Sequence, residues 1–166
     1  MKRHPLIAGN WKMNGTLAEA SALAHVLVEG ERPQGVELAV CPPFVHVPAV
    51  AAIERASGIA LGAQDVSAQG AGAFTGEVSA AMLAELGCAY AIVGHSERRQ
   101  YHAETNQCVA AKAAAAIGQG LVAIICVGET RAEREAGQTA SVIEKQIAES
   151  VPTCADGATI VIAYEP

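Results

Sequence analysis

The chain has 166 residues, of which 51% are hydrophobic, 17% charged and only 4% aromatic, and its net charge is −6. That apolar content excludes a disordered or low-complexity segment, and an aliphatic core poor in aromatics suits helices layered on a sheet. The acidic balance, with no Lys/Arg cluster along one face, argues against a nucleic-acid partner.

Short runs rich in Val, Ile, Leu and Ala begin near Leu6, Val36, Ile59, Tyr90, Leu121 and Thr159, at spacings of 30, 23, 31, 31 and 38 residues. Most are continuously apolar, as expected of parallel strands covered on both faces. Helical patterns lie between them. Leu17, Ala20, Ala24, Leu27 and Val28 share one face of a 3.6-residue period, with Thr16 placed to cap its start. Further helices are predicted over 47–56, 80–86, 105–117 and 141–150, and Gly58, Gly87 and Gly118 read as left-handed C-terminal caps. Arg131, Glu133, Arg134 and Glu135 read as a solvated, mixed-charge helical face. A βα repeat of this period is an α/β fold.

Two stretches depart from the repeat. Residues 65–77 form a Gly/Ala/Ser-rich segment longer than the usual βα loop of about two to six residues, which marks it as functional or partner-contacting. The sixth apolar run, from Thr159 to Tyr164, has no helical pattern after it, so the chain reads as cut short.

Localisation follows from absences. The longest apolar runs, 86–94 and 121–128, fall well below the roughly 20 residues that cross a bilayer. Lys2 and Arg3 do not begin a signal peptide, because the apolar stretch 6–9 runs straight into Asn10-Trp11-Lys12. The five cysteines are odd in number and contain no CxxC pair, a pattern of free thiols in a reducing compartment. A cytoplasmic protein with no membrane partner is expected.

In βα repeats the working side chains gather at the carboxyl ends of the strands. Those ends carry Asn10 and Lys12 after the first strand, then His95, Ser96 and Glu97 after the fourth. Glu129 follows the fifth and Glu165 the sixth. Cys-Pro-Pro and Gly-Ala-Gln, after the second and third, offer little acid or base. Asn10, Lys12, His95 and Glu165 supply an amide, a cation, an imidazole and a carboxylate, a set suited to proton abstraction beside a carbonyl. Singly, each has a plain reading as a structural histidine, a surface lysine or a capping carboxylate; jointly they point to catalysis. Ser96 reads as an N-cap, which sets His95 beside the positive end of a helix and favours a neutral imidazole. Pro166 restricts Glu165 to extended geometry. Gly70-x-Gly72-x-x-x-Gly76 lacks the spacing and preceding strand of a dinucleotide fingerprint, and no nucleotide or metal-ligand motif is present. Neither cofactor nor metal is expected.

The motifs in these positions are Asn10-Trp11-Lys12-Met13-Asn14, Cys41-Pro42-Pro43-Phe44, Gly72-Ala73-Phe74-Thr75-Gly76-Glu77, Val93-Gly94-His95-Ser96-Glu97-Arg98-Arg99, Cys126-Val127-Gly128-Glu129-Thr130 and Ala163-Tyr164-Glu165-Pro166. In this order, and along the whole chain, they resemble the triosephosphate isomerase family. One departure is Arg131, where that family often carries leucine. The resemblance implies an eightfold βα barrel, a (β/α)8 TIM barrel, here truncated after the sixth strand, so that residues 1–166 form one incomplete barrel domain. It implies interconversion of dihydroxyacetone phosphate and D-glyceraldehyde 3-phosphate through an enediolate. Glu165 would be the base, His95 the neutral electrophile, and Lys12 the cation facing phosphate and oxyanion. Asn10 would donate to the same oxyanion. Glu97 would be a charge beside Lys12, and Cys126 would pack below Glu165. It also implies a homodimer in which the 65–77 loop reaches a second subunit, with Thr75 buttressing the partner's site.

A typical barrel of this kind needs roughly 250 residues. A protein consisting of residues 1–166 alone is therefore expected to be inactive and poorly soluble. Two other readings compete. A different sugar-phosphate barrel enzyme such as an epimerase does not share the Gly-His-Ser-Glu-Arg-Arg run. The second is a non-catalytic barrel fragment, if the chain ends at Pro166.

Overall fold

A computed structural model describes residues 4–31, 34–54 and 57–166. Lys2 and Arg3, and the end of the predicted 47–56 helix, lie outside the described residues. The six strands are β1 (Leu6–Asn10), β2 (Glu37–Cys41), β3 (Ala60–Ala63), β4 (Cys88–Val93), β5 (Val122–Val127) and β6 (Ile160–Tyr164). All pair in parallel with their sequence neighbours, in the order β1-β2-β3-β4-β5-β6. Every strand begins within about two residues of its expected position, because each is a short aliphatic run bounded by turn residues.

The helices are α1 (Leu17–Glu29), α2 (Val47–Glu54), α3 (Ala80–Glu85), α4 (Ser96–Tyr101), α5 (Asn106–Gly118), α6 (Arg131–Glu135) and α7 (Thr139–Ser150), with a 3-10 turn at Phe44–His46. Thr16 caps α1 as expected, in a reciprocal pairing with Glu19 that satisfies two otherwise orphaned donors. Thr130 and Glu133 repeat the device at α6, which carries the mixed-charge face read from Arg131 to Glu135.

Local chemistry corrects several expected boundaries. Thr105 is the cap of α5, its hydroxyl accepting from the Cys108 N–H, and not the first helical residue. The last helix starts at Thr139, two residues before the expected Ser141. Gly58 and Gly87 do take left-handed φ values of +77° and +89°, whereas Gly118 stays within α5 and Gly120, at +79°, makes the turn. The chain needs an extra half-turn of helix before it can reverse into β5.

The sheet curls with its helices on one side. Along β4 and β5 the two-residue alternation sends Ala91, Val93, Ala123 and Ile125 into a core shared with Ala20, Ala24, Val50, Leu83 and Val109 from the helices. The alternate positions Tyr90, Ile92, Ile124 and Cys126 form a separate cluster on the concave side, with Ala39 and Cys41. Both faces are thereby apolar, which explains the unbroken aliphatic runs. β1 and β6 are the edges of this six-stranded sheet. As expected, residues 65–77 contain no helix or strand, and 69–77 are exposed to solvent.

Candidate active site

All parallel strands point their carboxyl ends the same way, so the residues following β1, β4 and β6 share one rim. A cleft of about 660 Å³ there is lined by Asn10, Lys12, Gln64, His95 and Glu97 among others. Glu165 does not line it and joins it through His95. A roomier hollow of about 860 Å³ lies at the opposite end of the concave face, around Glu37 and Tyr90. There the Tyr90 hydroxyl donates to Glu37 at 2.6 Å, and burial first, with that carboxylate second, lifts it above the ordinary phenol range. It offers a hydrogen bond and no poised base, whereas three of the four residues singled out in the sequence line the first cleft.

His95 is 7% exposed and stands two residues beyond the end of β4. The structure makes His95 itself the N-cap of α4: its Nδ1 accepts from the Glu97 backbone N–H at 3.2 Å, and Ser96 is the first helical residue. The expectation of Ser96 as cap is corrected, because an imidazole nitrogen serves the same orphaned donor. A nitrogen that accepts carries no proton, so the proton of a neutral ring sits on Nε2. The Glu97 carboxylate is 3.5 Å from Nδ1, too distant to compete with that bond. Nε2 lies 3.1 Å from Glu165 Oε1, while Glu165 Oε2 accepts from the Ser96 backbone N–H at 3.3 Å.

Lys12 has a left-handed φ of +52°, a conformation costing a non-glycine residue about 1 kcal/mol or more. Three bonds over-determine it. Its own N–H donates to Asn10 Oδ1 at 3.0 Å, its carbonyl accepts from Gln64 Nε2 at 2.9 Å, and the Trp11 N–H donates to the Cys41 carbonyl at 3.1 Å. Gln64 Nε2 also donates to the Cys41 carbonyl at 2.8 Å, bridging the ends of β1 and β2. Lys12 Nζ meets Glu97 Oε1 at 2.8 Å. That bond, and then the attraction behind it, raises the Lys12 ammonium and holds the Glu97 carboxyl below the usual carboxylate range. With its oxygen taken by Lys12, Asn10 has its NH2 group to offer.

Beneath Glu165, Cys126 is 2% exposed, and burial first, then the negative charge of Glu165, pushes its thiol up. It is a packing group held neutral. Gly128 explains how β6 ends so close by: a Cβ there would run into the Glu165 carbonyl oxygen. The Gln146 amide clasps Gly128 from the other side, accepting from its N–H at 2.8 Å and donating to its carbonyl at 2.9 Å. Among the described residues no group of three His, Cys, Asp or Glu side chains converges as metal ligands would.

The four residues singled out in the sequence thus fall on one rim, with His95 touching Glu165 and Asn10 touching Lys12. From the sequence, Gln64 was set aside, and Glu129 was named at the end of the fifth strand without a role. Gln64 has no acid–base chemistry, and its role as a clamp appears only when β1, β2 and β3 are side by side. Glu129 accepts from the Tyr164 hydroxyl at 3.0 Å and from Thr139 Oγ1 at 3.0 Å, tying the ends of β5 and β6.

A family model described as "Triosephosphate isomerase" matches residues 5–166. The chain belongs to the triosephosphate isomerase family. It is 49% identical to a triosephosphate isomerase of Cupriavidus taiwanensis over 99% of its own length and 67% of that protein's. It is 52% identical to one from Afipia carboxidovorans, covering 99% of this chain and 66% of the relative. Among solved structures, the triosephosphate isomerase of Bartonella henselae superimposes with a TM-score of 0.89 at 41% identity, over 99% of this chain and 68% of that one. The chain therefore spans about two thirds of the length of the relatives it matches. The barrel expected from the sequence is the fold of this family, and five βα units with a sixth strand account for the curled sheet.

Proposed function

We propose that this chain carries the acid–base centre of an isomerase that interconverts dihydroxyacetone phosphate and D-glyceraldehyde 3-phosphate. Its residues form part of one (β/α)8 barrel domain. The observation that carries the reading is the pairing of a buried imidazole, its Nδ1 occupied by the Glu97 N–H, with a carboxylate 3.1 Å from its Nε2. Such a ring donates from Nε2 without being an imidazolium.

In this reading a substrate oxygen replaces Glu165 as acceptor of the His95 Nε2–H bond. The freed carboxylate takes a proton from the carbon beside the carbonyl. Electrons from that C–H bond form a C=C bond, and the carbonyl π pair moves onto oxygen as an enediolate. His95 Nε2–H and the Asn10 amide donate to that oxyanion, and the Lys12 cation offsets it and the phosphate charge. Return of the proton from Glu165 to the neighbouring carbon completes the exchange, with the hydroxyl hydrogen moving between the two oxygens. No oxidant, metal or organic cofactor enters this balance.

The 65–77 loop suits contact with a second copy of the chain. Phe74 is 44% exposed within it, and Met13 and Val45 on the same rim are 95% and 79% exposed, which favours a covered surface. Thr75 would then reach the partner's cleft. Light scattering on the full-length protein should give twice the chain mass; a monomer would remove the dimer. No helix among the described residues is long and apolar enough to cross a membrane. With free cysteines and the acidic balance, this favours a cytoplasmic protein whose ligand is a small phosphorylated triose and not a nucleic acid.

Glu165→Gln in the full-length protein tests the assignment in a coupled assay of dihydroxyacetone phosphate isomerisation. Loss of the base should lower kcat by about 10²–10⁴-fold, and an unchanged rate would eliminate Glu165 as that base.

A further inference from the structure

One charged side chain behind the site has no part in the proton transfers, yet it is bonded to the end of β4, which carries His95, and to β5, the neighbour on which β6 and Glu165 are laid. Arg99 lies on α4 and turns its half-buried guanidinium back beneath the rim. Its Nε donates to the Gly94 carbonyl at 2.8 Å, and its Nη2 donates to the Cys126 carbonyl at 3.1 Å. Gly94 is the residue before His95. Cys126 is the residue whose thiol packs against Glu165.

The same group is fixed from behind by a closed ring. Nη1 donates to Asn106 Oδ1 at 2.6 Å, Nη2 donates to Ser150 Oγ at 3.3 Å, and the Ser150 hydroxyl donates to Asn106 Oδ1 at 3.2 Å. Asn106 is itself oriented, its Nδ2 donating to Glu149 at 2.7 Å. The ring joins the start of α5 to the end of α7, so the guanidinium plane has little freedom to tilt. Gly94 has φ +68°, and a Cβ on it would meet the Val109 methyls at 2.7 and 2.8 Å and Arg99 Nη2 at 3.0 Å. Only glycine lets that carbonyl face Arg99 from so close. Burial works against the Arg99 charge, and Cys126, Glu104 and Glu165 favour it.

We propose that Arg99 is a positioning residue for the His95–Glu165 pair: its planar fork sets the separation of the β4 and β5 ends, and Glu165 follows β5 because its N–H donates to the Val127 carbonyl at 2.8 Å. A lysine ammonium at this position is a single point of donation and cannot span two carbonyls and a side-chain ring at once. The inference rests on the proton-transfer reading given above. A merely structural Arg99 would instead pin α4 to α5 and α7 and leave the geometry of the pair untouched.

The two roles separate in the full-length protein through Arg99→Lys and Ser150→Ala, each checked for folding by circular dichroism. Two quantities are read: kcat and KM for dihydroxyacetone phosphate, and the ¹⁵N resonances of the His95 ring. A displacement of the order of 1 Å between reacting groups costs about 10²-fold in rate. Folded Arg99→Lys should therefore lose about 10²-fold in kcat, with KM within about twofold and a shifted His95 Nε2 resonance. Ser150→Ala, which opens the ring without touching the strand carbonyls, should move both readouts in the same direction by about threefold in kcat. Parental kcat and unmoved His95 resonances in either folded variant would overturn the proposal. The ring resonances require no turnover. If the parent protein fails to isomerise the substrate, the functional reading falls while the resonances still decide the placement of His95.

Discussion

Two buried charged sites flank β3, and they are built in opposite ways. At its carboxyl end, Lys112 is 6% exposed and lies between Asp65 and Glu104, with contacts of 2.7 Å to Asp65 Oδ1 and 2.6 Å to Glu104 Oε1. Arg98 closes the cluster, 3.0 Å from Asp65 and 2.6 Å from Glu104. At its amino end, Glu54 is only 3% exposed, and neither carboxyl oxygen has a partner among the described residues. Burial alone would pull the Lys112 ammonium down, but the hydrogen bonds it donates to Asp65 and then Glu104 hold it above its ordinary range. Glu54 has no such compensation, and burial raises its carboxyl from 4.5 to about 7. Burial sets the cost of a charge; partners decide whether it is met. The compensated cluster anchors the base of the exposed 65–77 loop and backs the helix that follows His95. The uncompensated one sits away from the site, on the wall of a hollow also lined by Ala51, Ile59, Glu85 and Leu86.

The sharpest way to break this contrast is Lys112→Met. It leaves Asp65 and Glu104 facing each other in the interior, and stability in urea should fall by about 3–5 kcal/mol. A loss below about 1 kcal/mol would mean that Arg98 re-pairs both carboxylates and that Lys112 is dispensable.

Glu54 should show the opposite behaviour through pH. Because its folded value lies above its unfolded one, the folded form binds the proton more tightly. Its favourable contribution is complete below pH 4.5 and is lost as pH rises to about 7. Over that interval the wild-type chain should lose about 3 kcal/mol relative to Glu54→Gln. Parallel stability curves for the two proteins would show that Glu54 is paired in solution.

Glu97→Gln should have the smallest effect. The Lys12–Glu97 pair is about half exposed on both sides, at 49% and 47%, so screening leaves it little influence on folding. The urea midpoint should not move measurably, at low or high salt. A clear, salt-sensitive drop would place this pair with the buried cluster and not with the surface.

Legibility followed the range of the interactions. The six strands were readable because two-sided burial forces continuous aliphatic runs, and Thr16 was readable because a cap acts over three residues. That Asn10, Lys12, His95 and Glu165 would be neighbours was readable because parallel strands deliver their carboxyl ends to one rim. The short helices α4 and α6, with six and five residues, were legible only through a cap expected at Ser96 and a mixed-charge face at 131–135, because neither is long enough to establish a period. Gly118 and Gly120 were confused because either can end a helix, and the choice depends on where β5 must begin. The role of Gln64 was not legible because its two acceptors, the carbonyls of Lys12 and Cys41, lie 52 and 23 residues away.

The chain's 166 residues by themselves determined a parallel βα repeat, the order of its strands and the identity of four polar residues at their ends. Those properties depend on local propensity and on hydrophobic period, both carried by neighbouring residues. Only the tertiary structure decided that His95 caps its own helix through Nδ1, that Lys12 is held in a left-handed backbone by Gln64, and that Arg99 spans two strands. It also decided that Lys112 is compensated and Glu54 is not. Each is a contact between distant parts of the chain or a directional hydrogen bond, and no periodicity of residues encodes the angle at which a donor meets its acceptor.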